Sequence, residues 1–463
     1  MENPPPPQFP SSPPLGPPLP PVPPDELRPP PNWPTDEDGP PPSRRPPRWV
    51  VAAAVVAVVA LVAALFAVFL DDNSDEGAQL EANEPNPTTT TEAPEEQTTP
   101  PTSGGTTVPA DPTDPTFDAV IASIESFVSQ ERGLPFLSEV TVELADDAEF
   151  ESRLLEDFDE DADDLALEGE ILTALGLVDR GVDVVAASRE LLGAGVIGFY
   201  DPETNELVVR GTEMTPFVRQ TIAHELTHAL QDQHFELDRP DLEDTDDERG
   251  YGFLGLVEGD AERIADAYLA SLPEAEQDQA LQEELALGLD FDFASIPLVL
   301  IDQLTVPYTA GPDLIAAILD AGGQTFLDGS FTAPPTTSEH ILEPDTFVQG
   351  DPPNPVNEPA ADGEVIDRGV LGLLGLMELA GETAMFGDEI PPEVDGWGAD
   401  KYVAWHDGGR TCVRVAFQGE TIQDTDEYET LLAGIADDPP GGAQASTTRG
   451  PGPLDPVVYT SCA

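Results

Sequence analysis

Basic residues are scarce in this chain. Eighteen Lys and Arg stand against 91 Asp and Glu over 463 residues, a formal net charge of −73. A polyanion of this kind repels nucleic acid and anionic lipid headgroups, so no nucleic-acid partner is expected for the acidic bulk. Cysteine is almost absent as well. Cys412 and Cys462 are the only two, and neither has a second Cys or His at ligand spacing, which excludes a cysteine-ligated metal. The acidic runs 156–164 and 243–248 lack the glycine-punctuated spacing of an EF-hand, so they read as solvated faces rather than calcium loops. The Asn86-Pro-Thr triplet is no glycosylation acceptor, because proline occupies its middle position.

Charge is missing altogether from residues 49–70, a run of 22 built mainly from Val, Ala, Leu and Phe. At about 1.5 Å per residue this run can cross a hydrocarbon core, and the expectation is a single transmembrane helix. Arg44, Arg45 and Arg48 precede it, and Asp71 and Asp72 follow. The positive-inside rule then keeps the N-terminus in the cytoplasm and exports the C-terminal bulk, an extracellular domain on a single-pass cell-membrane anchor. A cleaved signal peptide would have a shorter N-terminal extension. Residues 1–48 are dominated by proline and read as a disordered or polyproline II tail, either a spacer or a docking site for a proline-recognising cytoplasmic partner. Residues 71–116 are Thr, Pro, Glu, Asp and Gly, too poor in apolar side chains to offset the entropy of ordering, and read as a linker. The folded domain is expected over 117–463. In an exported domain a Cys412–Cys462 disulfide is expected, the alternative being two buried thiols.

What this domain does possess is Thr221-Ile-Ala-His224-Glu225-Leu-Thr-His228-Ala-Leu230. Four residues advance an α-helix by about 400° and about 6 Å, so His224 and His228 project from nearly the same side and can close on one ion. Glu225 is turned about 100° away, outside the ligand set but close enough to take a proton from zinc-bound water. On a helical wheel Val218, Ile222, Leu226, Ala229 and Leu230 form the apolar stripe and the histidines fall away from it. The word is H-E-x-x-H, a zinc-hydrolase signature. Catalytic Zn2+ takes three protein ligands and keeps one position for water. The third is sought on the segment 251–269, whose apolar face is Leu254, Val257, Ala261, Ile264, Ala265 and Tyr268. Glu258 lies within about 70° of the centre of that face and most needs a partner, Asp260 and Glu262 sit at its margins, and Asp266 points to solvent. Glu258 is therefore the expected metal ligand, with Glu262 one turn later as a partner for the spare N–H of a histidine.

These residues resemble the gluzincin branch of the zincin metallopeptidases. In that branch a glutamate on a second helix completes the site and an acidic residue one turn later supports a histidine. The spacing departs from thermolysin-like members: 30 positions separate His228 from Glu258, so the acidic loop 237–249 must be accommodated. A closer resemblance is to bacterial, often actinobacterial, membrane-anchored proteins whose active-site helix reads like His224-Glu-Leu-Thr-His-Ala-Leu-Gln-Asp-Gln-His-Phe235. It extends through 198–210, 306–311, 334–342 and 396–402 and covers about 117–463. It implies a peptidase fold acting on peptide or protein substrates. Two residues in locally similar, loop-like segments, Tyr308 and His340, are candidates for stabilising the oxyanion that amide hydrolysis generates. His234 and His406 read as structural or surface residues.

The coarse pattern is helix at 117–130, strand at 140–144, helices at 150–159 and 165–176, and a hairpin from 196–200 and 207–210. In zincins a strand just before the metal helix offers its edge to extended substrate. Helices follow at 273–289, 313–321 and 365–379, and a small hairpin at 402–405 and 412–417. The class is α+β, mainly helical with a small sheet. The rival to an enzyme is a cell-envelope interaction protein with a structural or vestigial zinc site. An intact Glu225 favours the enzyme, because a structural site needs no base.

Overall fold

The computed structural model describes residues 53–56 and 115–463, apart from 157, 203, 244, 290–294, 385–389 and 454. The proline-rich tail and nearly all of the linker lie outside the described residues. In chain order the elements are strand β1 (Ala53–Val56), helix α1 (Pro115–Arg132), β2 (Thr141–Ala145), α2 (Asp147–Leu154), α3 (Ala162–Leu175), α4 (Val184–Gly195), β3 (Val196–Asp201) and β4 (Glu206–Arg210). Then come α5 (Pro216–Phe235), α6 (Arg249–Ser271), α7 (Glu274–Leu289), α8 (Leu298–Thr309), α9 (Gly311–Ser330) and α10 (Ser338–Leu342). The C-terminal part is β5 (Glu364–Gly369), α11 (Gly372–Ala380), β6 (Trp397–Asp407), β7 (Arg410–Gly419), α12 (Ile422–Asp437), β8 (Gln444–Arg449) and β9 (Val457–Cys462). The fold is α+β, as expected, with two sheets rather than one small one.

The first sheet has the order β1-β3-β4-β2, in which β3 pairs antiparallel with β1 and β4, and β4 pairs parallel with β2. The second is antiparallel throughout, β5-β6-β7-β9-β8. Cys412 and Cys462 face each other in the β7–β9 register and form the expected disulfide.

Several expectations meet a different local structure, His340 among them in α10 rather than a loop, and of the expected span 49–70 only four residues are described. Ala53–Val56, the only described part of the expected membrane span 49–70, is extended. It lies along the outer edge of β3, where strand pairing satisfies its backbone as an intrahelical ladder would. No helix among the described residues is long and apolar enough to cross a membrane. The helix expected over 365–379 is instead β5 followed by α11. Gly372 has φ +72°, a left-handed conformation that breaks a continuous helix. The buried Asp400 carboxylate anchors the break by accepting from the N–H groups of Leu371 and Gly372 at 2.8 and 2.9 Å. Tyr308 lies in α8, which continues through Pro307, rather than in a loop.

α5 sits at the centre. Thr215 caps it by accepting from the N–H of Val218, and Pro216 starts it with a preset φ. Fourteen of its residues, from Pro216 to Gln231, are buried, on both the apolar stripe and the histidine side. The stripe of Val218, Ile222, Leu226 and Leu230 packs into one core with α1, Tyr200 and Leu207. The opposite side faces α6, which carries three glycines along one flank. A Cβ on Gly252 would lie 2.4 Å from the backbone of Pro335, one on Gly255 2.6 Å from Ile341, and one on Gly259 2.4 Å from the backbone of Gly311. The absent side chains let α6 approach α9 and α10 closely.

Gly259→Ala tests this packing. Overpacking against backbone should destabilise the fold by about 1–3 kcal/mol, lowering the midpoint of urea unfolding. Gly434→Ala, in α12 with no neighbour within 4 Å of the added methyl, should be neutral or stabilising by up to about 1 kcal/mol. Equal midpoints for the two variants would show that α6 does not depend on glycine contacts.

Candidate metal centre

The facing sides of α5 and α6 bring together the three residues that the sequence selected. His224, His228 and Glu258 are fully buried, and one ligand atom from each lies within 4.8 Å of the others. Glu258 Oε2 is the shared point, 3.1 Å from His224 Nε2 and 3.2 Å from His228 Nε2. Those three atoms converge on a common volume, and His228 Nε2 makes no well-formed hydrogen bond there. Two imidazoles and a carboxylate with their acceptor atoms aimed at one another fit a divalent cation that prefers nitrogen and oxygen donors.

The outward nitrogens are held from behind. His224 Nδ1 lies 3.1 Å from Glu262 Oε2, in the supporting role expected for Glu262. His228 Nδ1 lies 3.0 Å from Gln231 Oε1, so Gln231 fixes the second ring as Glu262 fixes the first. Gln231 in turn donates to the carbonyl of Val257 and to Asp260 Oδ2, at 3.1 and 3.3 Å. Asp260 is thereby occupied. It also accepts from Arg132 at 2.6 Å and Arg263 at 2.8 Å, and these guanidinium groups hold its carboxyl low against burial. Arg132 is itself fully buried, bonded also to Asp328 and lying over the rings of Phe235 and Phe331. Gln231 was legible in principle, being one turn beyond His228 on the same helix. Arg132 was not, because 128 positions separate it from Asp260.

Glu225 is buried beside the cluster, on the side facing β3. A Cβ on Gly198 would lie 2.8 Å from Glu225 Oε1 and 2.7 Å from Thr221, so glycine at this strand position makes room for the carboxylate. Tyr308 reaches the centre from α8. Its ring stacks on His224 at 6.1 Å, and burial, then the charges of Glu258 and Glu225, keep its phenol protonated far above the ordinary range. His340 goes elsewhere: Nδ1 accepts from the N–H of Thr336 at 3.1 Å, Nε2 donates to the carbonyl of Asp351 at 3.0 Å, and the ring leans on Phe347. Both of its nitrogens serve the backbone, and the structure does not bring it to the histidine pair. His234 bonds to the carbonyl of Pro135, and His406 pairs with Glu170 at the surface.

No family model, curated protein or solved structure matches this chain. What the site can do therefore rests on its own geometry.

Burial opposes a charged His224, but bonds to Glu258 and Glu262 outweigh it and raise its pKa well above the usual histidine range. Burial likewise opposes a charged Glu258, and the two histidines hold it below the usual carboxylate range. The raised histidine contributes stability that is complete below its ordinary pKa and is lost as pH rises through the folded value. The depressed carboxylate contributes above its ordinary pKa and is lost as pH falls. At neutral pH His224 thus carries a proton that a metal must displace. Calorimetric titration of a divalent metal near pH 7, in buffers of different ionisation enthalpy, should show about one proton released per ion bound. No release would mean that His224 is already neutral.

Proposed function

We propose that the chain is a zinc-dependent peptidase. The observation that carries this reading is the convergence of His224, His228 and Glu258 on one buried point, with the buried Glu225 next to His224 in the chain. Three protein ligands leave a coordination position for water, and the glutamate of H-E-x-x-H is the residue that can take a proton from that water. The resemblance to gluzincins rests on the same residues.

Zinc, when bound by His224, His228 and Glu258, would supply the Lewis acidity that acidifies a water and polarises the scissile carbonyl. Glu225 takes the proton of the attacking water and returns it to the leaving amine, so one carboxylate serves as base and then as acid. Gly198 leaves that carboxylate the space it occupies between α5 and β3. Tyr308, kept as a phenol, donates a hydrogen bond toward the charge that grows on the carbonyl oxygen. Glu262 and Gln231 hold the two imidazoles in the tautomer that presents Nε2 inward.

Two observations support an exported, membrane-anchored protein. The Cys412–Cys462 disulfide suits an oxidising compartment. The uncharged run 49–70, with arginines before it and aspartates after it, has the length and polarity of a span that leaves the C-terminal domain outside. A membrane-inserted run cannot also pair with β3. Insertion therefore vacates the outer edge of that strand and offers it to an extended peptide.

Two substitutions separate binding from chemistry. Glu258→Ala removes the anionic ligand and should lower zinc occupancy. Glu225→Gln should retain zinc yet reduce peptide turnover by about two to four orders of magnitude. Zinc content and cleavage of a peptide library are the measurements. Wild-type turnover by Glu225→Gln would refute the peptidase and favour a structural zinc site in an interaction protein. Full zinc retention by Glu258→Ala would move the third ligand elsewhere.

A further inference from the structure

A cavity of about 410 Å3 reaches Glu258 and Tyr308 at the metal centre. Much of its wall is aliphatic, with Leu172, Leu191, Leu300 and Leu371 contributing. One wall residue is out of keeping with this lining. Glu378, on α11, is 9 % exposed, and its Oε1 is buried without a hydrogen-bond partner. The charged groups that act on it are Asp302, Glu168 and Glu248, all of them acids. Glu168 and Glu248 line the same cavity. Arg368 lines it too, but its guanidinium is committed to Glu358 at 3.1 Å.

A buried carboxyl group surrounded by acids is unfavourable as an anion unless a cation meets it. Protonation is one relief: burial, then the neighbouring acids, raise Glu378 well above the usual carboxylate range. A ligand with an aliphatic stem and a cationic end would relieve it more completely, since the stem suits the leucines and the head suits Glu378.

We propose that this cavity is the side-chain pocket for a basic residue of the substrate, Lys or Arg. The methylenes lie along the leucine wall, and the cationic head meets Glu378, with Glu168 and Glu248 adding to the field. This assignment rests on the peptidase reading above and adds to it the class of side chain selected.

Binding can be measured without turnover. The full-length chain carrying Glu225→Gln, loaded with zinc, is titrated with blocked alanine hexapeptides bearing Arg, Lys, norleucine or Glu at each position in turn. At the responsive position Arg or Lys should bind at least about tenfold more tightly than norleucine, and Glu should bind most weakly. Adding Glu378→Gln should shrink the basic-to-norleucine ratio below about twofold while norleucine still binds. Norleucine binding as well as Arg and Lys, or an undiminished ratio after Glu378→Gln, overturns the proposal. Should Glu378→Gln fail to fold, Glu168→Gln replaces it; a smaller ratio upholds the proposal and an unchanged one overturns it. Cleavage assays on the unsubstituted chain separate this idea from its premise. Basic selectivity in binding without cleavage sinks the peptidase and keeps the pocket, whereas cleavage indifferent to basic residues does the reverse.

Discussion

One buried carboxylate, Glu258, faces two buried imidazoles across about 3 Å, and the middle of the molecule is arranged around that meeting. Desolvating a carboxylate and two imidazoles is costly, so the arrangement stands only where other contacts force the helices together and a cation, proton or metal, balances the charge. The first condition is met by the apolar core that joins α5 to Ile264 and Tyr268 of α6, while backbone meets backbone between α6 and α9 at Gly259 and Gly311. The second is met by His224 in its charged form, and a divalent ion would meet it more fully.

Behind the cluster, polar groups are spent on orientation. Gln231 links His228 to Asp260, Asp260 to Arg132, and Arg132 to Asp328 at the far end of α9. In a chain with 18 basic residues, burying a whole arginine here is a strong investment in geometry. Breaking one member of such a pair would cost about 3–5 kcal/mol, because the partner is left charged and dry. The network explains why Asp260, next but one to Glu258, does not compete as a ligand.

The centre was legible because its information is local. His224, Glu225 and His228 are fixed by helical periodicity alone, and Glu258 betrays itself as an acid near an apolar stripe. The disulfide followed from there being just two cysteines in a chain expected to be exported. Contributions from distant segments left weaker traces. Tyr308 was visible as a tyrosine in a short familiar-looking word, but Pro307 beside it disguised a helix. His340 carried the same kind of signal and proved to be tied to backbone groups. The segment 365–379 reads as one helical stripe, yet Asp400 in another strand captures two of its N–H groups and divides it into β5 and α11. Residues 53–56 satisfy the pattern of a membrane span and the edge of β3 equally, since an uncharged Ala-Val run suits both.

The most direct test of the centre is anomalous diffraction at the zinc edge from crystals of the zinc-loaded chain. The account predicts one zinc at about 2.0–2.2 Å from His224 Nε2, His228 Nε2 and a carboxylate oxygen of Glu258, with solvent in the remaining position and Glu225 beside it but unligated. A zinc held elsewhere, or one whose fourth position is closed by a protein side chain, would contradict it.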